Sequence, residues 1–188
     1  CADGTTSLPG LTVCEACEAG EYLFVDGTTK ECKDCVAGKI STYGSSSCKT
    51  CGNGQYANAA TKATSCTSCG AGKYGDQDLQ NSEVDSCKSC VAGKYSSAAG
   101  VASSAGCNDC SPGKYSTTTT GNSEETKCIP CAADTYSTTP GRNTACDSCA
   151  DGTTSLPGLT VCTACDAGEY LFVDGTTKEC KDCVAGKI

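Results

Sequence analysis

CKDCVAGKI, residues 32–40, returns letter for letter at 180–188. It carries a Cys-x-x-Cys pair followed by a glycine, and the chemistry of that pair decides the fold, because the device recurs along the whole chain. Pairs stand at 14/17, 32/35, 48/51, 66/69, 87/90, 107/110, 128/131, 146/149, 162/165 and 180/183, with Cys1 as the second half of a truncated pair. First cysteines are 18, 16, 18, 21, 20, 21, 18, 16 and 18 residues apart. Each pair opens a similar phrase, among them CEAGEY, CVAGKI, CGAGKY, CSPGKY and CAADTY, with the consensus C-x-x-C-x-x-G-x-Y.

A second period lies above the first. Residues 1–40 and 149–188 match at an offset of 148 and differ only at Glu15/Thr163 and Glu18/Asp166. Residues 1–148 therefore read as one super-repeat of eight modules and 149–188 as the start of the next. Near-identity over such a length points to recent tandem duplication and to a segment of a longer array.

Cysteine contributes 21 of 188 residues, the density of a disulfide scaffold. Trp and Met are absent and Phe occurs only at 24 and 172, so one large apolar core is not available. Stability has to come from covalent staples and small local clusters. The chain has no His, which removes the commonest general base, the Ser-His and Cys-His nucleophile systems and the imidazole metal ligands, and no enzymatic activity or cofactor is expected. A formal charge of −8 argues against nucleic acid, which is bound through Lys/Arg patches. No apolar run has the length of a membrane span, so no membrane insertion is expected in this segment.

Each module has a mechanical logic. The glycine three residues after the second cysteine (Gly20, Gly38, Gly54, Gly72, Gly93, Gly113 and their counterparts Gly4, Gly152, Gly168 and Gly186) is expected at a turn position with positive φ. The one exception, Asp134, is a residue that tolerates the left-handed region. The tyrosine two residues later (Tyr22, Tyr56, Tyr74, Tyr95, Tyr115, Tyr136, Tyr170) is expected to cover neighbouring sulfurs with its ring. Where it is missing, Tyr43 near Ile40, and Leu8, Leu11 and Val13 or Leu156, Leu159 and Val161, are expected to supply apolar cover. Ser, Thr, Gly, Asn and Asp fill the rest, which predicts turns and very short strands with no sizeable helix.

Three chemistries fit a bare Cys-x-x-Cys. Two pairs separated by 13–18 residues lie near the spacing of a four-cysteine zinc ribbon, and spacing alone leaves zinc open. Against it, no linker marks where one metal domain would end. A thioredoxin-type redox pair needs a helix N-terminus beside a βαβ core, and no helical period supplies one. Structural half-cystines fit best, which makes CKDCVAGKI the hinge between two disulfide loops in an oxidising, extracellular setting.

With C-x-x-C-x-x-G-x-Y running through essentially the whole chain, the sequence resembles the ephrin-receptor-like (GCC2/GCC3-type) cysteine-rich repeats of extracellular proteins, and more distantly the cysteine-rich modules of tumour necrosis factor receptors. Such repeats occur in receptor ectodomains and in long cell-surface proteins of protists and algae. The sequence departs from that pattern in having proline near a pair only in CSPG and CIPC and in lacking Tyr at Thr6, Ile40, Thr154 and Ile188. The resemblance implies an elongated linear array of β-hairpin and loop modules in which the second cysteine of one pair bonds the first of the next. The implied bonds are Cys1–Cys14, Cys17–Cys32, Cys35–Cys48, Cys51–Cys66, Cys69–Cys87, Cys90–Cys107, Cys110–Cys128, Cys131–Cys146, Cys149–Cys162 and Cys165–Cys180. Cys183 is left over, with its partner expected 13 residues on. A crossed ladder, first to first and second to second, is the alternative.

The expected function is structural: a segment of a long disulfide-stapled rod or filament, secreted to a cell surface or extracellular matrix, whose partners are copies of itself. A ligand-binding stalk of a receptor-like ectodomain is the alternative. Two local features stand out. Asp76, Asp78, Glu83 and Asp85 gather enough oxygen for a weak calcium site, although an acidic solvated loop fits them better and no metal site is expected. No Asn-x-Ser/Thr sequon exists, whereas Ser116, Thr117, Thr118, Thr119 and Thr120, with Ser137, Thr138 and Thr139, are candidate O-glycan carriers.

Overall fold

The computed structural model describes residues 5–6, 14–77, 82–175 and 177–184. Among them the chain forms ten two-stranded antiparallel hairpins in sequence order. Among the described residues helix is confined to one turn at Glu83–Ser86 and two three-residue 3-10 turns at Ser104–Gly106 and Glu125–Lys127. The fold is a small disulfide-rich repeat array without a central core. It divides into two compact units, one of residues 1–89 and 98–106, the other of 90–97 and 107–188.

Every module is built alike. After the second cysteine of a pair comes a turn in which, for example, Lys114 N–H donates to the Ser111 carbonyl at 3.1 Å. Gly113, the third residue of that turn, has φ 80°, the value a type II turn requires there and one that L side chains resist. The glycines at 20, 38, 54, 72, 93, 152 and 168 share the positive φ, and Asp134 adopts it at 62°. Gly4 and Gly186 lie outside the described residues.

The turn launches a two-residue strand, and its partner is the x-x of the next Cys-x-x-Cys. Lys39–Ile40 pairs with Lys49–Thr50, and Lys114–Tyr115 with Ile129–Pro130. The following cysteine then closes the hairpin, as Cys131 N–H donates to the Gly113 carbonyl at 2.8 Å. CKDCVAGKI is thereby explained: Lys33–Asp34 ends one hairpin and Lys39–Ile40 begins the next.

Two hairpins are longer. Glu21–Asp26 pairs with Thr29–Asp34, and Glu169–Asp174 with Thr177–Asp182, in the same register at an offset of 148. Both turn at a glycine of positive φ, Gly27 and Gly175. Lys33 sits 3.5 Å over the Phe24 ring, and Lys181 sits 3.6 Å over Phe172.

The sulfurs are the interior. The second cysteines Cys35, Cys69, Cys90, Cys110 and Cys131 are fully buried. Tyr56 packs with Cys69 and Cys87, so its ring covers the disulfide of the following module, while Ile40 packs with Cys51, Ala57 and Ala63. The expected apolar stand-ins do not work this way. Tyr43 and Leu156 are both 72 % exposed, and Leu159 and Val161 are also at the surface. Leu8, Leu11 and Val13 lie outside the described residues. At Thr154, where a tyrosine is missing, the hydroxyl instead donates to the Lys178 carbonyl of the next hairpin at 3.2 Å, and Thr6 does the same to Lys30 at 2.9 Å. A polar tether replaces the ring at these positions.

Candidate functional site

Nine disulfides join the second cysteine of one pair to the first of the next, from Cys17–Cys32 to Cys165–Cys180, with Cα separations of 5.4–5.9 Å. Cys14 is also disulfide-bonded. The expected Cys1–Cys14 pairing falls on Cys1, which lies outside the described residues. Cys183 is exposed and stands outside any disulfide. Among the described residues, Cys165, Glu169 and Cys180 are close enough together to hold a metal ion, but the two sulfurs are already bonded to each other. Thiolates consumed this way do not ligate zinc.

The surface that repeats is the junction between modules. At the junction of the 110–128 and 131–146 modules, Gly113 N–H donates to the Ser137 carbonyl at 2.8 Å, Ser116 N–H to Arg142 at 3.0 Å, and Gly141 N–H to Cys110 at 2.9 Å. The 17–32 and 35–48 modules meet in the same way: Gly20 to Ser41 at 3.1 Å, Leu23 to Ser45 at 3.0 Å and Gly44 to Cys17 at 2.8 Å. Main-chain bonds of fixed pattern make the junction independent of loop sequence.

A contact one module further on explains why the turn residue is glycine beyond its φ. A Cβ on Gly54 would fall under 3.0 Å from backbone atoms of Gly100 and Val101, and one on Gly113 under 3.0 Å from the Gly158 carbonyl. In both cases the neighbour belongs to the next module but one. Asp134 makes the same reach with its side chain. Its carboxylate accepts the Thr154 hydroxyl and, at 2.9 Å, the Lys178 N–H, binding three successive modules.

Sequence reasoning missed a set of buried small residues. The position after the tyrosine holds Ser41, Ala57, Ser96, Ser116, Ser137 and Ser155, all buried. Ser41 Oγ donates to the Glu21 carbonyl at 2.7 Å and Ser155 Oγ to the Thr135 carbonyl at 2.8 Å, both in the preceding module. The signal was present in the recurring YS and IS dipeptides. Of the glycan candidates, Ser116 and Ser137 are fully buried, with Ser116 Oγ accepting from Asn122 Nδ2 at 2.8 Å. Thr117, Thr118, Thr119, Thr120, Thr138 and Thr139 are exposed.

The acidic loop directs its carboxylates to lysines. Asp76 accepts Lys88 at 2.8 Å and Glu83 accepts Lys73 at 2.6 Å, while Asp85 receives the hydroxyl of Ser82, the residue that caps the helical turn. Asp78 lies outside the described residues. Lys88 holds the Asp76 carboxyl below the ordinary carboxylate range, and Arg142 does the same to Asp147. Lys62 lowers Glu21, and the Ser111 hydroxyl with Lys114 lowers Glu125.

No protein-family model and no curated protein matches the chain. Among the described residues no helix is long and apolar enough to cross a membrane. The density of disulfides places the chain in an oxidising, extracellular or secretory environment, as a structural or ectodomain-like protein.

Proposed function

We propose that the chain is a non-catalytic structural segment of a secreted, disulfide-stapled filament at a cell surface or in extracellular matrix, of the kind its resemblance to ephrin-receptor-like repeats implies. The observation that supports this most is the junction. The same main-chain bonds join modules of different loop sequence, and the long hairpin recurs 148 residues later in unchanged register. A surface defined by backbone is suited to repetition rather than to discrimination among ligands. A contact that recurs at a fixed interval and does not close generates a fibre. The exposed threonines at 117–120, 138 and 139 are the candidate carriers of O-linked sugars.

Electron microscopy of native material tests the reading. With modules about 10 Å thick, as two inter-strand spacings give, one eight-module super-repeat advances on the order of 80 Å if straight and less if coiled. Filaments with an axial period in that range are the expected result. Short isolated stalks would overturn the filament reading in favour of a receptor-like ectodomain.

A further inference from the structure

A cavity of about 360 Å³ opens between the 17–32 and 35–48 modules, lined by Tyr22, Asp34, Val36, Lys39, Ser47 and Cys48 and more apolar than polar. Its volume is that of a small-ligand pocket. The polar lining consists of one carboxylate, one hydroxyl and one ammonium. Asp34 is already compensated, with its carboxylate 3.4 Å from Lys62 Nζ. Lys39 is not.

Lys39 follows the turn glycine of its module, and lysines at that position in other modules are neutralised. Glu83 pairs with Lys73 at 2.6 Å, Asp109 with Lys94 at 2.5 Å and Glu125 with Lys114 at 3.2 Å. Among the described residues no carboxylate pairs with Lys39. The sequence explains the exception. Opposite Lys94 in its hairpin stands Asp109, whereas opposite Lys39 stands Thr50. Residues 36–47 contain neither Asp nor Glu. The Cys35–Cys48 loop spans 13 residues, against 18 in the two loops whose helical turns present Glu83 and Glu125, so it is too short to house such a turn.

We propose that this cavity binds a uronic-acid residue of an acidic polysaccharide. The sugar carboxylate pairs with Lys39, its hydroxyls meet the Ser47 hydroxyl and the Asp34 carboxylate, and the C–H face of the pyranose lies on Tyr22 and Val36. The lining discriminates among anions. A compact ion such as sulfate would leave the apolar lining against water and add charge beside Asp34. A fatty carboxylate would cover Asp34 and Ser47 without giving them hydrogen-bond partners, which is costly. A uronate answers each group in turn, and the open side of the cavity leaves its glycosidic bonds an exit. With a formal charge of −8 the chain repels anions in general, so binding of one requires a local site of this kind.

Amide chemical-shift mapping of the 188-residue protein, made with its disulfides formed, tests the site against methyl glucuronide, methyl glucoside and sodium sulfate at matched ionic strength. The glucuronide should produce saturable shifts clustered at Tyr22, Asp34, Val36, Lys39 and Ser47. The glucoside, which lacks the carboxylate, should bind about tenfold more weakly. Lys39→Met should weaken glucuronide binding by the same factor, whereas Lys39→Arg should retain it. Lys94→Met, which removes a lysine already held by Asp109, should leave binding unchanged. Because no carboxylate among the described residues holds Lys39, its replacement leaves the fold intact, as an unaltered amide spectrum away from the cavity would show. Absence of clustered shifts with the glucuronide would overturn the proposal. So would equal binding of the glucoside or a Lys39→Met variant that binds as wild type does. Sulfate giving the same shifts at the same concentration would also overturn it, since Lys39 would then be only a counterion site.

Discussion

Gly113→Ala separates a nearest-neighbour array from one coupled across three modules. The substitution has two costs. A side chain at φ 80° carries left-handed strain of about 1–2 kcal/mol. Its Cβ would also fall under 3.0 Å from the Gly158 carbonyl, a contact that backbone cannot absorb without moving. That movement strains the bond from Gly158 N–H to the Cys131 carbonyl, 2.9 Å in the native chain and worth about 1 kcal/mol net. The sum is about 2–3 kcal/mol. Gly152→Ala supplies the strain alone, because Gly152 has φ 84° and nothing within 4 Å of its Cβ position. The assay is native-state hydrogen exchange at Gly158, two modules from the substitution. At 1.4 kcal/mol per decade, loss of that bond, about 1 kcal/mol, should speed exchange there roughly fivefold. In a purely nearest-neighbour array the effect would stop at Ser137 and Gly141. Unchanged exchange at Gly158 in folded Gly113→Ala protein would refute the next-but-one contact.

Other expectations concern single residues and conditions. Asp134→Gly relieves the turn but removes the acceptor of Thr154 and Lys178, so the Lys178 amide should exchange about tenfold faster, for a loss of about 1–2 kcal/mol; slower exchange would show that turn strain dominates. Lys62 holds the Glu21 carboxyl below its ordinary value, so the stabilisation is complete above about pH 4.3 and is lost as pH falls through the lowered value. Above that range the Lys62 amide should be better protected in wild type than in Glu21→Gln, with the difference vanishing at lower pH; a pH-independent difference would contradict the ion pair. Lys62 itself is raised, so its contribution persists through neutral pH and is lost only as pH climbs through that raised value. Reduction with dithiothreitol should unfold the chain, whereas EDTA should leave its circular dichroism unchanged; unfolding by the chelator would mean that metal holds the pairs.

The sequence exposed whatever depends on a single residue in a fixed local frame. The turn glycines were readable because type II geometry requires positive φ at one place, and Asp134 followed the same logic. The interlocking of consecutive modules was not readable, because it depends on where a loop two modules away arrives. The hydroxyl tract shows why composition misleads at that level. Ser116 and Thr117 are chemically alike and adjacent, yet Ser116 is buried with its Oγ accepting from Asn122 Nδ2 of a later loop, while Thr117 is exposed. The stand-ins for tyrosine failed for a related reason. Tyr43 and Leu156 have the right character, but their loops point outward, and at Thr154 a hydroxyl tether to the neighbouring hairpin replaces burial.

The disulfide pattern is the foundation of the account, and peptide mapping without reduction reads it directly. Proteolysis of the unreduced protein should yield Cys17 joined to Cys32 and Cys35 joined to Cys48, each second cysteine to the next first. A peptide joining Cys14 to Cys32, or Cys17 to Cys35, would establish a crossed ladder and contradict the hairpin array.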